Sequence, residues 1–209
     1  GGNGGGGMKP SIDAGKLDHR LEVLELREPG PGTGVWEWVS VRKTWGQVTP
    51  QDKRNLFSTV GIGARDAAVV LRKQSLTLGN ALRWGSQHLF LTAILPRGRG
   101  HLDVGAALVE LTSCVGRPIT AGMGAGNRPE RQEGPPIRFP GVLTEKYMGY
   151  TREDTHAVNT SDLVLVTPKA IVLSAGDLVD ARGETWNVRV VHTLDPHKNE
   201  YEINLRKDV

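Results

Sequence analysis

A single cysteine, Cys114, stands among 209 residues, so no internal disulfide can form and nothing in the chain draws stability from an oxidising compartment. No apolar run approaches the roughly 20 residues of a membrane-spanning helix, and the amino terminus lacks the charged and apolar regions of a secretory signal. These absences predict a protein made in a cytosol and not held in a membrane. Sustained helical periodicity is also missing. Acidic side chains are scarce in one stretch, where Asp52 and Asp66 stand alone against ten Lys or Arg between Arg42 and Arg99, a local balance of about +8. Residues 113–209 carry 12 basic and 13 acidic side chains, so the formal charge of +3 hides a basic first half.

What the chain has in quantity is turn formers, 27 Gly and 12 Pro, set between short alternating apolar runs. This predicts a mainly β protein of two tandem small β-barrel or sandwich modules with long loops. "GGNGGGGMKP" has too few side chains to repay ordering, so residues 1–14 read as a flexible arm. In "HRLEVLEL", Leu21 and Val23 share one face and Leu24 and Leu26 the other, which predicts a bulge near Val23. "REPGPGTG" is a turn cluster, and "VWEWVSVRKTWGQV" resumes the alternation as the second arm of a hairpin.

Residues 50–66, "PQDKRNLFSTVGIGARD", have no clean period and read as a long functional loop. Strands follow at 67–74, 76–95 and 106–113, so the first module spans 15–112. The Gly, Pro and charge of 113–138 read as a linker, and a second module occupies 139–209. "NALRWGSQHLFLTAIL" and "GDLVDARGETWNVRVVHTL" share a strand, a tight glycine turn and a second strand, each followed by a closing strand. The two modules therefore look related.

Catalytic and cofactor chemistry finds no foothold. "GIG" and "GMGAG" lack phosphate-loop spacing, six scattered histidines and Cys114 show no zinc-ligand pattern, and no serine sits in a nucleophile motif. The reading is a non-enzyme without cofactor, metal or catalytic residues. The basic segment with Trp36, Trp38, Trp45 and Trp84 leaves room for a nucleic-acid surface on two OB-like barrels, the rival reading.

Gly15, Leu17 and Arg20, then Trp36, Val39, Trp45, Gly46 and Val48, follow a G-x-L-x-x-R entry and a W-x-x-V, W-[AG]-x-V pair. On these residues the stretch 12–111 resembles the head–tail joining (stopper, head-closure) proteins of tailed bacteriophages. Gly176, Asp177, Leu178, Glu184, Trp186 and Val188 make residues 139–209 similar to the small barrel of lambda-like head-completion and tail-attachment proteins. The resemblance implies a virion neck component, made in the host cytoplasm and present as a ring of six copies around the channel for packaged double-stranded DNA. Its neighbours would be a portal or adaptor protein on one side and a tail-terminator or tail-tube protein on the other. A tail-terminator subunit is a further alternative. Within such a ring, Lys53, Arg54 and Arg65 on loop 50–66 are the expected channel gate. Lys16, His19 and Arg20 are the expected contacts to a neighbouring subunit, and unpaired strand margins would be completed by sister copies.

Overall fold

A computed structural model describes residues 14–54, 65–123, 128–145 and 162–206. Apart from a short 3-10 turn at Ala14–Lys16, its regular elements are all strands. The described residues fall into two compact units. One gathers the chain up to Glu25, from Ser40 to the end of the second strand, and from the third strand to Val109. The other takes Leu26–Val39 and the chain from Glu110 onward.

The first barrel is built from β1 (His19–Arg27), β2 (Glu37–Arg54), β3 (Arg65–Arg72), β4 (Ala81–Trp84), β5 (Gln87–Arg97) and β6 (His101–Val109). These strands close in the order β1-β2-β3-β6-β5-β4. Alternation sends Leu21, Val23, Leu71, Leu82, Leu89 and Leu91 into one core, all of them fully buried. On the opposite face Leu24, Ala81, Phe90 and Ala107 form one register row and are also buried.

The second barrel is built from β7 (Thr112–Arg117), β10 (Ile137–Glu145), β11 (Asp162–Pro168), β12 (Leu178–Ala181), β13 (Glu184–His192) and β14 (Lys198–Leu205), closed in the order β10-β11-β14-β13-β12-β7. Phe139, Leu165, Ile171, Trp186, Tyr201 and Ile203 fill its core, and Leu26 and Trp36 pack against it. The buried Tyr201 hydroxyl donates to Ile171 O at 2.8 Å and accepts from Leu173 N at 3.1 Å, so the largest fully buried side chain leaves no polar atom wanting.

Numbered within each barrel, both strand orders are 1-2-3-6-5-4. Register repeats as well as order. Leu91 faces Ala106 and Val188 faces Ile203, the second pair lying 97 positions after the first at both residues, and each is followed by a register shift, Leu91/Ala93 in one barrel and Val188/Val190 in the other. The turn before the fourth strand is shared too. Asn80 N donates to Thr77 O and its Oδ1 accepts from Thr77 N, while Asp177 N donates to Ser174 O and its Oδ2 accepts from Ser174 N. The second strands each carry an inward glycine. A Cβ on Gly46 would lie 2.8 Å from Leu21 Cδ1 and 2.6 Å from Leu71 Cδ2, and one on Gly141 would lie 3.2 Å from Cys114 Sγ and 2.6 Å from Leu165 Cδ1. The tight turn between strands four and five differs only in type. Gly85 has φ +59°, whereas Arg182 and Gly183 are both positive, at 55° and 80°, as a type I′ turn requires.

Four expectations are corrected. Segment 113–138 is not a linker: it supplies barrel strand β7, the start of β10, and a hairpin of β8 (Ile119–Met123) and β9 (Pro129–Glu133). Its few large apolar residues reflect a hairpin that is solvated on both faces. The barrels are not open sheets, since each closes on itself; among the described residues the hairpin forms a separate two-stranded sheet, and β2 pairs with β3 only from Gly46 onward. The β1–β4 register passes Val23 and Leu24 without a shift, so the broken alternation is no bulge on that side. Leu21 and Val23 serve the first core, Leu26 the second. Finally, β2 runs on to Arg54 and β3 begins at Arg65, so both ends of the expected loop 50–66 are strand. Residues 55–64 lie outside the described residues.

Candidate functional site

The exposed hairpin is the feature most clearly built for something beyond the barrels. A two-stranded hairpin is marginal by itself, so its base must be held. Gly134 N donates to Pro118 O at 2.8 Å, closing the hairpin where it leaves the barrel. Arg117, the last residue of β7, reaches Glu133 Oε1 and Oε2 at 3.1 and 3.3 Å and Asp180 Oδ1 at 2.8 Å, tying β9 to β12. Thr185 Oγ1 donates to the same Asp180 oxygen at 2.7 Å. Burial works against the Arg117 charge, but Asp180 and Glu133 outweigh it and hold its pKa above the ordinary value. Asp177, itself buried, accepts from Ile119 N at 2.9 Å and from Ser174 N at 2.7 Å. One carboxylate thus joins the hairpin base to the turn before β12.

This anchoring fixes which main-chain groups face outward. The Ile119 N–H goes to Asp177, away from β9, so Ile119 and Glu133 form a non-hydrogen-bonded pair. Alternation makes Ala121–Arg131 and Met123–Pro129 pairs of the same kind. That suits Pro129, which has no N–H to give to β8. The carbonyl of Pro129 and the N–H of Arg131 therefore lie on the outer edge of β9. Met123, 68% exposed, sits at the far end of β8.

The expected gate residues are only partly within reach. Arg54 and Arg65 are direct register partners where β2 meets β3, and Arg65 is exposed. Lys53 is one residue before Arg54 on β2. The expected subunit contacts lie at the other end of the barrel sequence: Lys16 and Arg20 are exposed, flanking the buried Leu17. His19 sets its ring edge against Trp84 at a centroid distance of 5.1 Å and its Nδ1 2.8 Å from Asp18 Oδ1.

Cys114 is fully buried, and burial pushes its thiol up to about 11, which removes it as a nucleophile at neutral pH. Among the described residues no group of three His, Cys, Asp or Glu could hold a metal ion, and no helix is long and apolar enough to cross a membrane. The hairpin is what sequence reasoning missed. "ITAGM" and "PERQE" on either side of the Gly- and Asn-containing sequence "GAGNR" are the available signal, but without an apolar face they resemble a linker. The chain matches no protein-family model, no curated protein and no solved structure.

Proposed function

We propose that the chain is a structural neck protein of a tailed bacteriophage, assembling as a ring around the DNA channel between portal or adaptor and tail. The observation that carries this reading is the anchored hairpin β8–β9, whose two outer edges have no strand beside them among the described residues, while both barrels are closed. A closed barrel gives a neighbour little free strand edge, whereas the anchored hairpin gives two, and this favours assembly through a projecting element. Arg65, with its register partner Arg54 and the preceding Lys53, is the proposed cationic site on each copy for packaged DNA or an acidic neighbour. The proposed role requires no catalysis and no cofactor.

Imaging particles labelled with an antibody against the second barrel tests it: label at the head–tail junction supports the reading, and particles without label refute it. Replacing Lys53, Arg54 and Arg65 together by Ser separates gating from joining, because normal genome retention rules out the gate alone.

The rival is a two-barrel nucleic-acid-binding protein, favoured by the basic first half and by Trp45, 55% exposed on β2. Six-stranded closed barrels depart from the five-stranded OB pattern. Tight, salt-sensitive binding of oligonucleotides by the isolated chain would support the rival.

A further inference from the structure

The two barrels repeat, but the connections between their first and second strands have different fates. In the first barrel this connection, residues 26–39, is built into the second compact unit. There Val35 makes a parallel bridge to Arg138, with Arg138 N donating to Gly34 O at 2.6 Å and Trp36 N donating to Arg138 O at 2.8 Å. In the second barrel the same connection is the hairpin β8–β9, and among the described residues its outer edges have no strand beside them.

We propose that β9 docks on β2 of a second copy of this chain through the bridge that Val35 makes to Arg138, joining copies head to tail. This rests on the ring reading above and supplies its contact.

Donor and acceptor can both be named from the repeat. The bridge needs a carbonyl at one residue and an N–H two residues later, facing outward. Pro129 and Arg131 offer these groups on either side of Glu130, and the lack of an N–H at Pro129 costs nothing because only its carbonyl is used. On the acceptor side, Val41 packs against the first core as Ile137 packs against the second, and each is followed by an arginine, Arg42 and Arg138. Arg138 lies ahead of Val142, where β10 begins to pair with β11, and Arg42 lies ahead of Gly46, where β2 begins to pair with β3. The Gln74–Ser75 segment reaches this part of β2 through side-chain hydrogen bonds with Arg42 and Thr44. Arg42 Nε donates to Gln74 Oε1 at 2.9 Å, Gln74 Nε2 donates to Thr44 Oγ1 at 3.1 Å, and the Arg42 guanidinium also meets Ser75 O. Docking would bring Glu130 to Arg42 and the exposed Lys43, opposite charges at the bridge point. Because donor and acceptor are different surfaces, the contact is heterologous and repeats until it closes, so a ring of these chains contains twice as many barrels as copies.

Sedimentation velocity of the full chain tests this with two variants. Arg131→Pro removes the outward N–H that β8 does not use, and Arg131→Ala is its control. Arg42→Pro disables the acceptor, with Arg42→Ala as control. Wild type should exceed the 22.7 kDa monomer, and each proline variant should associate at least about tenfold more weakly than its alanine control. An equimolar mixture of the proline variants should form dimers and nothing larger, since each retains what the other lacks. Should Arg42→Pro fail to fold, a Glu130→Cys chain mixed with a Lys43→Cys chain, both carrying Cys114→Ala, should oxidise to a heterodimer that neither forms alone. Wild type that stays monomeric at about 100 µM, or Arg131→Pro that assembles like Arg131→Ala, overturns the proposal. In the second case the ring reading survives with a different contact.

Discussion

Replacing Asp177 by Ala should destabilise the second barrel and loosen the hairpin together. Asp177 is 5% exposed and accepts two main-chain hydrogen bonds, at 2.7 and 2.9 Å. Bonds to a charged acceptor contribute about 1.5–3 kcal/mol each, and their loss leaves two N–H groups without partners. The hairpin side is only partly buried, so the low end applies, about 3 kcal/mol in all. For a unit of this size that lowers the melting temperature by about 12 °C. Asp177→Asn should cost about half as much, because its Oδ1 still accepts and Asn80 fills the matching turn of the first barrel with an amide. Calorimetry gives the shift. Hydrogen exchange read by mass spectrometry gives its location, which matters because two barrels need not unfold as one. Protection should fall across the hairpin and β12–β13 while the first barrel keeps its own. Asp177→Ala melting within about 2 °C of wild type, with hairpin amides still protected, would refute both the anchoring and the equivalence with Asn80.

Two further outcomes follow from burial and close contact. His88 is buried, and desolvation first, then Arg83, lowers its pKa to about 4, so between pH 6.5 and 4 the unfolded chain binds a proton that the folded chain refuses. Its contribution is complete above pH 6.5 and shrinks as pH falls towards 4, by about 3 kcal/mol at the limit; urea titrations of His88→Gln should show that loss of slope, and an unchanged pH profile contradicts it. Gly46→Ala places a methyl 2.6 Å from Leu71 Cδ2 and 3.0 Å from Val70 O, so it should cost about 1–3 kcal/mol where an unhindered site would gain from the same change; a stabilised variant in denaturant unfolding contradicts the crowded interior.

Much of the fold is legible in the sequence because alternation is a strong signal wherever one strand face meets a core. Leu163 and Leu165, Trp186 and Val188, and Tyr201 and Ile203 mark their strands plainly, and the likeness of the stretches beginning at Asn80 and Asp177 corresponds to a shared register. Barrel closure is less visible, since it depends on pairings such as β1 with β4 and β7 with β10 and β12, which no local pattern encodes. The hairpin was hidden for a related reason: Thr120, Ala121, Arg131 and Gln132 are all exposed, so its strands carry no apolar period. β1 misled in the opposite way, serving one core with Leu21 and Val23 and the other with Leu26, which mimics a bulge. Of the candidate site, the charges of Lys53, Arg54 and Arg65 could be read directly, whereas the opposition of Arg54 and Arg65 needed the ladder.

Native mass spectrometry of the purified full-length chain across a concentration series tests the assembly claim most directly. The account predicts multiples of 22.7 kDa that converge on one closed ring, with Arg131→Pro shifted towards the monomer. A monomer at every concentration, or a series unaffected by Arg131→Pro, would contradict it.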